Sequence, residues 1–197
     1  MKYVNPYNTV EFYVGDIISP QTVKIYADSS TSVDVQVSEG NKWYSYVLPK
    51  DKGLYRIEGD SVKKVVVKAD INVGGRGSII PTSTIEVSFK GSNISKTNNM
   101  NAMFIVCTSL TSLDISSFDT SKVTSMSSTF AYCSKLSSLD LSGWVISDTT
   151  HTDNMFSGCN ALKEIKMVGC TQDTINKIKA QLTTDGISID KVNIITE

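Results

Sequence analysis

Thr124-Ser125-Met126-Ser127-Ser128-Thr129-Phe130-Ala131-Tyr132-Cys133-Ser134-Lys135-Leu136-Ser137-Ser138-Leu139-Asp140-Leu141 is the stretch that decides the fold. Moved by 26 residues in either direction, its apolar positions recur: Phe104, Phe130 and Phe156; Cys107, Cys133 and Cys159; Leu110, Leu136 and Leu162; Leu113, Leu139 and Ile165. A fixed period of this length marks a solenoid, in which each unit covers the apolar face of its neighbour. Such arrays usually build binding surfaces rather than reaction centres. Within one copy, Met126, Phe130 and Cys133 have helical i, i+4, i+7 spacing, and Leu139 and Leu141 share one face of a short strand. One helical turn plus one strand predicts a rung of a leucine-rich repeat.

Upstream, apolar and polar residues alternate with period two in six short runs: 9–14, 23–26, 33–37, 43–48, 54–57 and 62–67. Turn chemistry separates them, as in Glu39-Gly40-Asn41 and Glu58-Gly59-Asp60-Ser61. Residues 1–75 are therefore expected to form an antiparallel β-sandwich that docks to a partner. Gly74-Gly75-Arg76-Gly77-Ser78 is expected to begin a linker over 76–84; it lacks the helix pattern and Lys-Ser/Thr of a phosphate loop. The repeats are expected over 85–170, with Ile85 to Phe89 as an incomplete opening rung. Residues 171–197 are expected to cap them: a helix capped by Thr171, with an apolar stripe of Ile175, Ile178 and Leu182, ends at Asp185-Gly186 and is followed by a strand or two. The fold class is mainly β with short helices.

The pattern from Val123, Val-Thr-Ser-Met-x-x-x-Phe-x-x-Cys-x-x-Leu-x-x-Leu-Asp-Leu, and the segment Leu110 to Cys133 resemble the BspA-type leucine-rich repeats over about residues 85–170. The resemblance implies a scaffold of bacterial and protist surface proteins that adheres to host proteins or cells and carries no catalytic residues. The N-terminus has one positive side chain and no apolar run after it, unlike an export signal. Three copies are also few for a large adhesin. Together these lead to the expectation of a bacteriophage virion surface component (decoration, head fibre or tail-associated), made in the cytoplasm. The alternatives are a bacterial cell-surface adhesin and an intracellular protein-interaction module.

Net charge is −1 and the pI about 5.9, without the basic stripe of a nucleic-acid binder. No run approaches the ~18 apolar residues of a membrane span. Three of the four Cys occupy one repeat column, so Cys107, Cys133 and Cys159 are expected to be small buried residues with free thiols. His151 is the single histidine and is expected in an exposed turn; no triad order, Cys-x-x-Cys or carboxylate pair accompanies it. No enzyme, cofactor or metal is therefore expected. The outward strand positions form the candidate binding strip: Ser112, Asp114 and Ser116; Ser138, Asp140 and Ser142; Glu164 and Lys166, with Lys166 placed to relieve the repulsion of stacked Asp114 and Asp140. Ca²⁺ between the two Asp would fall short of the usual six to eight oxygens. Trp43, Tyr44, Tyr46 and Tyr55 are a second candidate, as a sugar platform, with Tyr44 and Tyr46 on the face opposite Trp43. Tyr3 and Tyr7 mark an extended docking arm. Expected partners are other virion or surface proteins, a second copy in a homo-oligomer, and a host surface protein or glycan.

Overall fold

The computed structural model describes residues 9–27, 31–48, 54–68, 77–90, 92, 94 and 97–197. The arm residues Tyr3 and Tyr7, and Gly74 to Arg76, lie outside them. Strands dominate and form several sheets. In chain order they are β1 (Thr9–Val14), β2 (Gln21–Tyr26), β3 (Ser32–Val37), β4 (Lys42–Val47), β5 (Arg56–Glu58), β6 (Val62–Lys68), β7 (Glu86–Ser88), β8 (Ser112–Asp114), β9 (Ser138–Asp140), β10 (Glu164–Lys166) and β11 (Asn193–Ile195), with helix α1 (Gln172–Thr184) between the last two.

The period-two runs fold as strands because each has one face to bury. Val10, Phe12 and Val14 of β1 are almost wholly inaccessible, and their neighbours are half-exposed. β1 pairs antiparallel with both β4 and β6, while β2 pairs antiparallel with β3 and β5. β6 then takes β7 on its other edge, but parallel, and β7 takes β8 with Val87 opposite Leu113. One five-stranded sheet of order β4-β1-β6-β7-β8 thus runs from the alternating strands into the repeats.

The expected free linker over 76–84 is corrected by the same packing. Ile79 and Ile80 are buried, the Ile57 amide donates to the Ile79 carbonyl, and the Ile79 amide donates to the Met103 carbonyl. Ser83 and Thr84 donate their hydroxyls to the Val62 carbonyl. Apolar side chains after Gly77 make the segment part of the core.

A second correction concerns the Met126–Cys133 segment and its equivalents, which are turns instead of helical turns. An α-helix closes every amide onto the carbonyl four residues back. Here alternate amides leave the segment. Ala102, Phe104 and Val106 donate to Ser127, Thr129 and Ala131, whereas Met103, Ile105 and Cys107 donate three residues back. The next copy repeats the pattern: Ser128, Phe130 and Tyr132 donate to Asp153, Met155 and Ser157. The bend that allows this is left-handed backbone at Ala102, Ser128 and Asn154, and again at Val106, Tyr132 and Gly158. The amides are thus shared between the turn itself and the neighbouring copy, which keeps buried backbone groups paired without a helix.

Between these turns and the strands lie Phe104, Phe130 and Phe156, all fully buried, with ring centroids 5.8 and 5.9 Å apart along the row. Phe89, at the head of the row, tilts against Phe104 and Phe118. At the far end, Thr171 caps α1 by accepting from the Thr174 amide, and Ile175, Ile178 and Leu182 turn inward. β11 pairs parallel with β10, while Ile189–Lys191 is a 3-10 turn where part of a strand was expected.

Candidate binding face

The strand side of the repeats carries the predicted strip, and the structure divides it into two columns. Leu113, Leu139 and Ile165 point inward, so their neighbours point out. The first outward column, Ser112, Ser138 and Glu164, is exposed, and these side chains have no hydrogen-bond or ion-pair partner among the described residues. The second column is occupied with local bonds. Asp114 accepts from the Ser116 amide and hydroxyl at 3.1 and 2.7 Å, and from the Ser88 hydroxyl at 3.4 Å. Asp140 accepts from the Ser142 amide at 3.0 Å and pairs with Lys166 at 3.5 Å. Ser142 in turn accepts from the Val168 amide. Each Asp closes a turn onto the amide two residues on, the local role for which short carboxylates are suited.

The electrostatics follow. Burial works against the charged form of Asp140, but the Ser142 hydroxyl and amide, with Lys166, outweigh it and hold the carboxyl below its ordinary value. Lys166 reaches Asp140, and a Ser88 hydroxyl serves Asp114. The strip also crosses a seam. β8 is the last strand of the five-stranded sheet and β9 the first of β9-β10-β11, and no strand pairing joins them. On the turn side the copies stay bonded across this boundary through a parallel bridge from Asn99 to Ser125, and across the next one through a bridge from Ser125 to His151.

His151 lies on that turn side. Its amide and carbonyl join the Thr124 carbonyl and the Met126 amide, and its ring is exposed while Cys133 and Cys159 are buried. The structure does not bring His151 and the thiols together, and among the described residues no cluster of three His, Cys, Asp or Glu could hold a metal ion. The three column cysteines are unbridged. Their thiols have polar work: Cys133 donates to the Phe104 carbonyl at 3.1 Å and Cys159 to the Phe130 carbonyl at 3.0 Å, each one copy back. Burial pushes the Cys159 thiol up to about 12.

Of the aromatic candidates, Trp43 is 48% exposed and meets Tyr13 edge-on at 5.7 Å, whereas Tyr44 stacks on buried Phe12 and Tyr46 packs against the core. Tyr55 is half-buried and joins Tyr26 through its amide. Tyr13, beside Trp43 on the outer face, was missed in the sequence; its place opposite Trp43 in the β1–β4 register is the signal. Exposed Val106 and Tyr132, which line the outer corner of the turns, were missed too. Their column (106, 132, 158) keeps its backbone conformation but not its residue type, so a search for repeated side chains passes over it.

A protein-family profile described as "Mycoplasma protein of unknown function, DUF285" matches residues 81–180. Neither a curated protein nor a solved structure gives a significant match to the chain.

Proposed function

Starting from a chain that belongs to the DUF285 family, whose description assigns no activity, we propose a non-catalytic adhesive scaffold. The repeats are read as a short solenoid of leucine-rich, BspA-like rungs, closed at the end by α1 and β11. The strands before residue 69 are read as a sandwich-like platform that docks to a larger assembly. The observation that carries the reading is the in-step row of Phe104, Phe130 and Phe156 with amides crossing from copy to copy, because it leaves one outward column of the strands free of structural duty. The ligand-facing part is the column Ser112, Ser138 and Glu164, and the ligand class is a host surface protein or glycan. The Asp column holds the turns that shape this face.

Two settings fit a docked adhesive scaffold. The family description names a cellular bacterium, which favours a cell-surface adhesin. The virion-surface setting asks in addition that the platform bind particle proteins. The test is direct. Fluorescently labelled chain is titrated on immobilised glycans, on extracellular-matrix proteins and on host cells, beside a Ser112→Lys plus Ser138→Lys variant. These two positions are exposed, so the variant keeps its melting temperature. Saturable binding lost in the variant supports the reading. Binding that survives the double change, or no binding to any surface, overturns it.

A further inference from the structure

The sheet edges of this protein are unequally protected. An unpaired strand edge is a template for another strand, and folded chains usually blunt such edges with charge, brevity or cover. β8 and β9, whose facing edges do not pair, have only three residues each. β5 has three residues, and its Ile57 amide is taken by Ile79. β11 also has three residues. β3 has six but carries exposed Asp34 at its centre, so two copies would meet carboxylate to carboxylate. β4 has none of these guards. It has six residues, pairs through one edge only among the described residues, and exposes Trp43 and Val47 at 48% and 45%. Its only charge, Lys42, sits at its end and is already paired with Glu39 at 3.0 Å.

We infer that β4 is the seam of a homodimer, pairing antiparallel with β4 of a second copy about a two-fold axis at Ser45. The register follows from the faces. A slip by one residue would turn every outward side chain inward, so Trp43, Ser45 and Val47 must meet the same three residues of the other copy. Centred on Ser45, Trp43 faces Val47, Val47 faces Trp43, and Ser45 faces Ser45. On the inner face Tyr44 faces Tyr46. From Trp43 to Val47 each cross-strand pair is then aromatic with β-branched, aromatic with aromatic, or hydroxyl with hydroxyl, combinations that stabilise sheets. The inner tyrosines are half-buried and lean on the core, which leaves their edge-side flanks to be covered. The result is one ten-stranded sheet with a repeat unit at each end. Such a particle would present two binding faces, though the dimer does not rest on the adhesive reading.

Light scattering after size exclusion, at about 100 μM chain to suit the small seam, reads the mass directly. Wild type is expected at twice the 21.5 kDa of one chain. Ser45→Lys and Ser45→Glu, each alone, place like charges across the axis and are expected to run as monomers; mixed one to one, they are expected to recover the dimer. A Ser45→Cys variant is expected to be joined into a covalent dimer by a short bismaleimide. A monomeric wild type, a dimer untouched by either charge, an unrecovered mixture, or an unlinked Ser45→Cys variant would each overturn the seam.

Discussion

The rings of Phe104 and Phe130 lie face to face, centroids 5.8 Å apart and planes 6° from parallel, and Phe156 continues the row at 5.9 Å and 14°. Each ring is fully buried, and Phe130 is covered by a ring on both sides. The middle ring therefore has two aromatic neighbours, and Trp144 touches it as a third at 6.2 Å.

Phe130→Ala removes the most shared of these side chains. The cavity sits between two rows of bonded turns that cannot collapse independently, so the expected loss is ~3–5 kcal/mol. Urea unfolding followed by circular dichroism measures it.

Backbone strain is unequally distributed along the turns. Val106 is β-branched, 43% exposed and held at φ 60°. Asparagine tolerates that region, and little buried area is lost, so Val106→Asn is expected to stabilise by about 0.5–1 kcal/mol. Gly158→Ala should do the reverse. At φ +74° its added methyl would lie 2.7 Å from Tyr132 Cδ1, while Gly143, at φ +73°, has open space. Gly158→Ala is expected to cost more than Gly143→Ala, by ~1–2 kcal/mol, and paired thermal melts give the difference.

Alkali should loosen the thiol column. With Cys159 pushed up to about 12 by burial against an ordinary 9.0, the folded chain holds a proton that the unfolded chain releases. Its contribution is full below pH 9.0 and declines as pH rises toward about 12. Cys133 moves in the same direction, through its hydrogen bond to Cys107 and through burial. Cys159→Ala is expected to flatten the fall of stability with pH over that window. In native protein at pH 8, half-buried Cys170 is expected to react first with a thiol reagent, as peptide mapping would show.

Acid should act on the Asp column. Because the Asp140 carboxyl is held below its ordinary 3.8, its contribution is present above that value and lost as pH falls through the lowered one. Asp140→Ala opens the turn to Ser142 and frees Lys166, with an expected cost of about 0.5–1.5 kcal/mol at pH 7. The gap between variant and wild type should narrow as pH falls below 3.8 and through the lowered value, read by unfolding titrations at several pH values.

Much of this molecule was legible in its sequence because burial repeats. The Phe, Cys and Leu columns and the six alternating strands announce themselves by side-chain type, and the Thr171 cap and the Ile175, Ile178 and Leu182 stripe follow local rules. The turns were not legible, since i, i+4, i+7 spacing serves a helix and a bonded turn alike. What separates them is a left-handed residue every copy, and four of the six, Ala102, Val106, Ser128 and Tyr132, are types that do not signal it. The binding strip was half legible. Alternation shows that Asp114 and Asp140 point outward, but not that Ser116, Ser88, Ser142 and Lys166 already hold them. Nor does any residue between Leu110 and Leu136 mark the seam where β8 and β9 fail to pair.

A double-mutant cycle along the Phe row tests most directly whether the copies share one interior. Phe104→Leu, Phe130→Leu and Phe156→Leu are measured singly and in pairs by urea unfolding. Rings in contact predict coupling of about 0.5–1.5 kcal/mol for Phe104 with Phe130 and for Phe130 with Phe156, and additivity within ~0.5 kcal/mol for Phe104 with Phe156. Simple additivity at both neighbouring pairs would contradict the account.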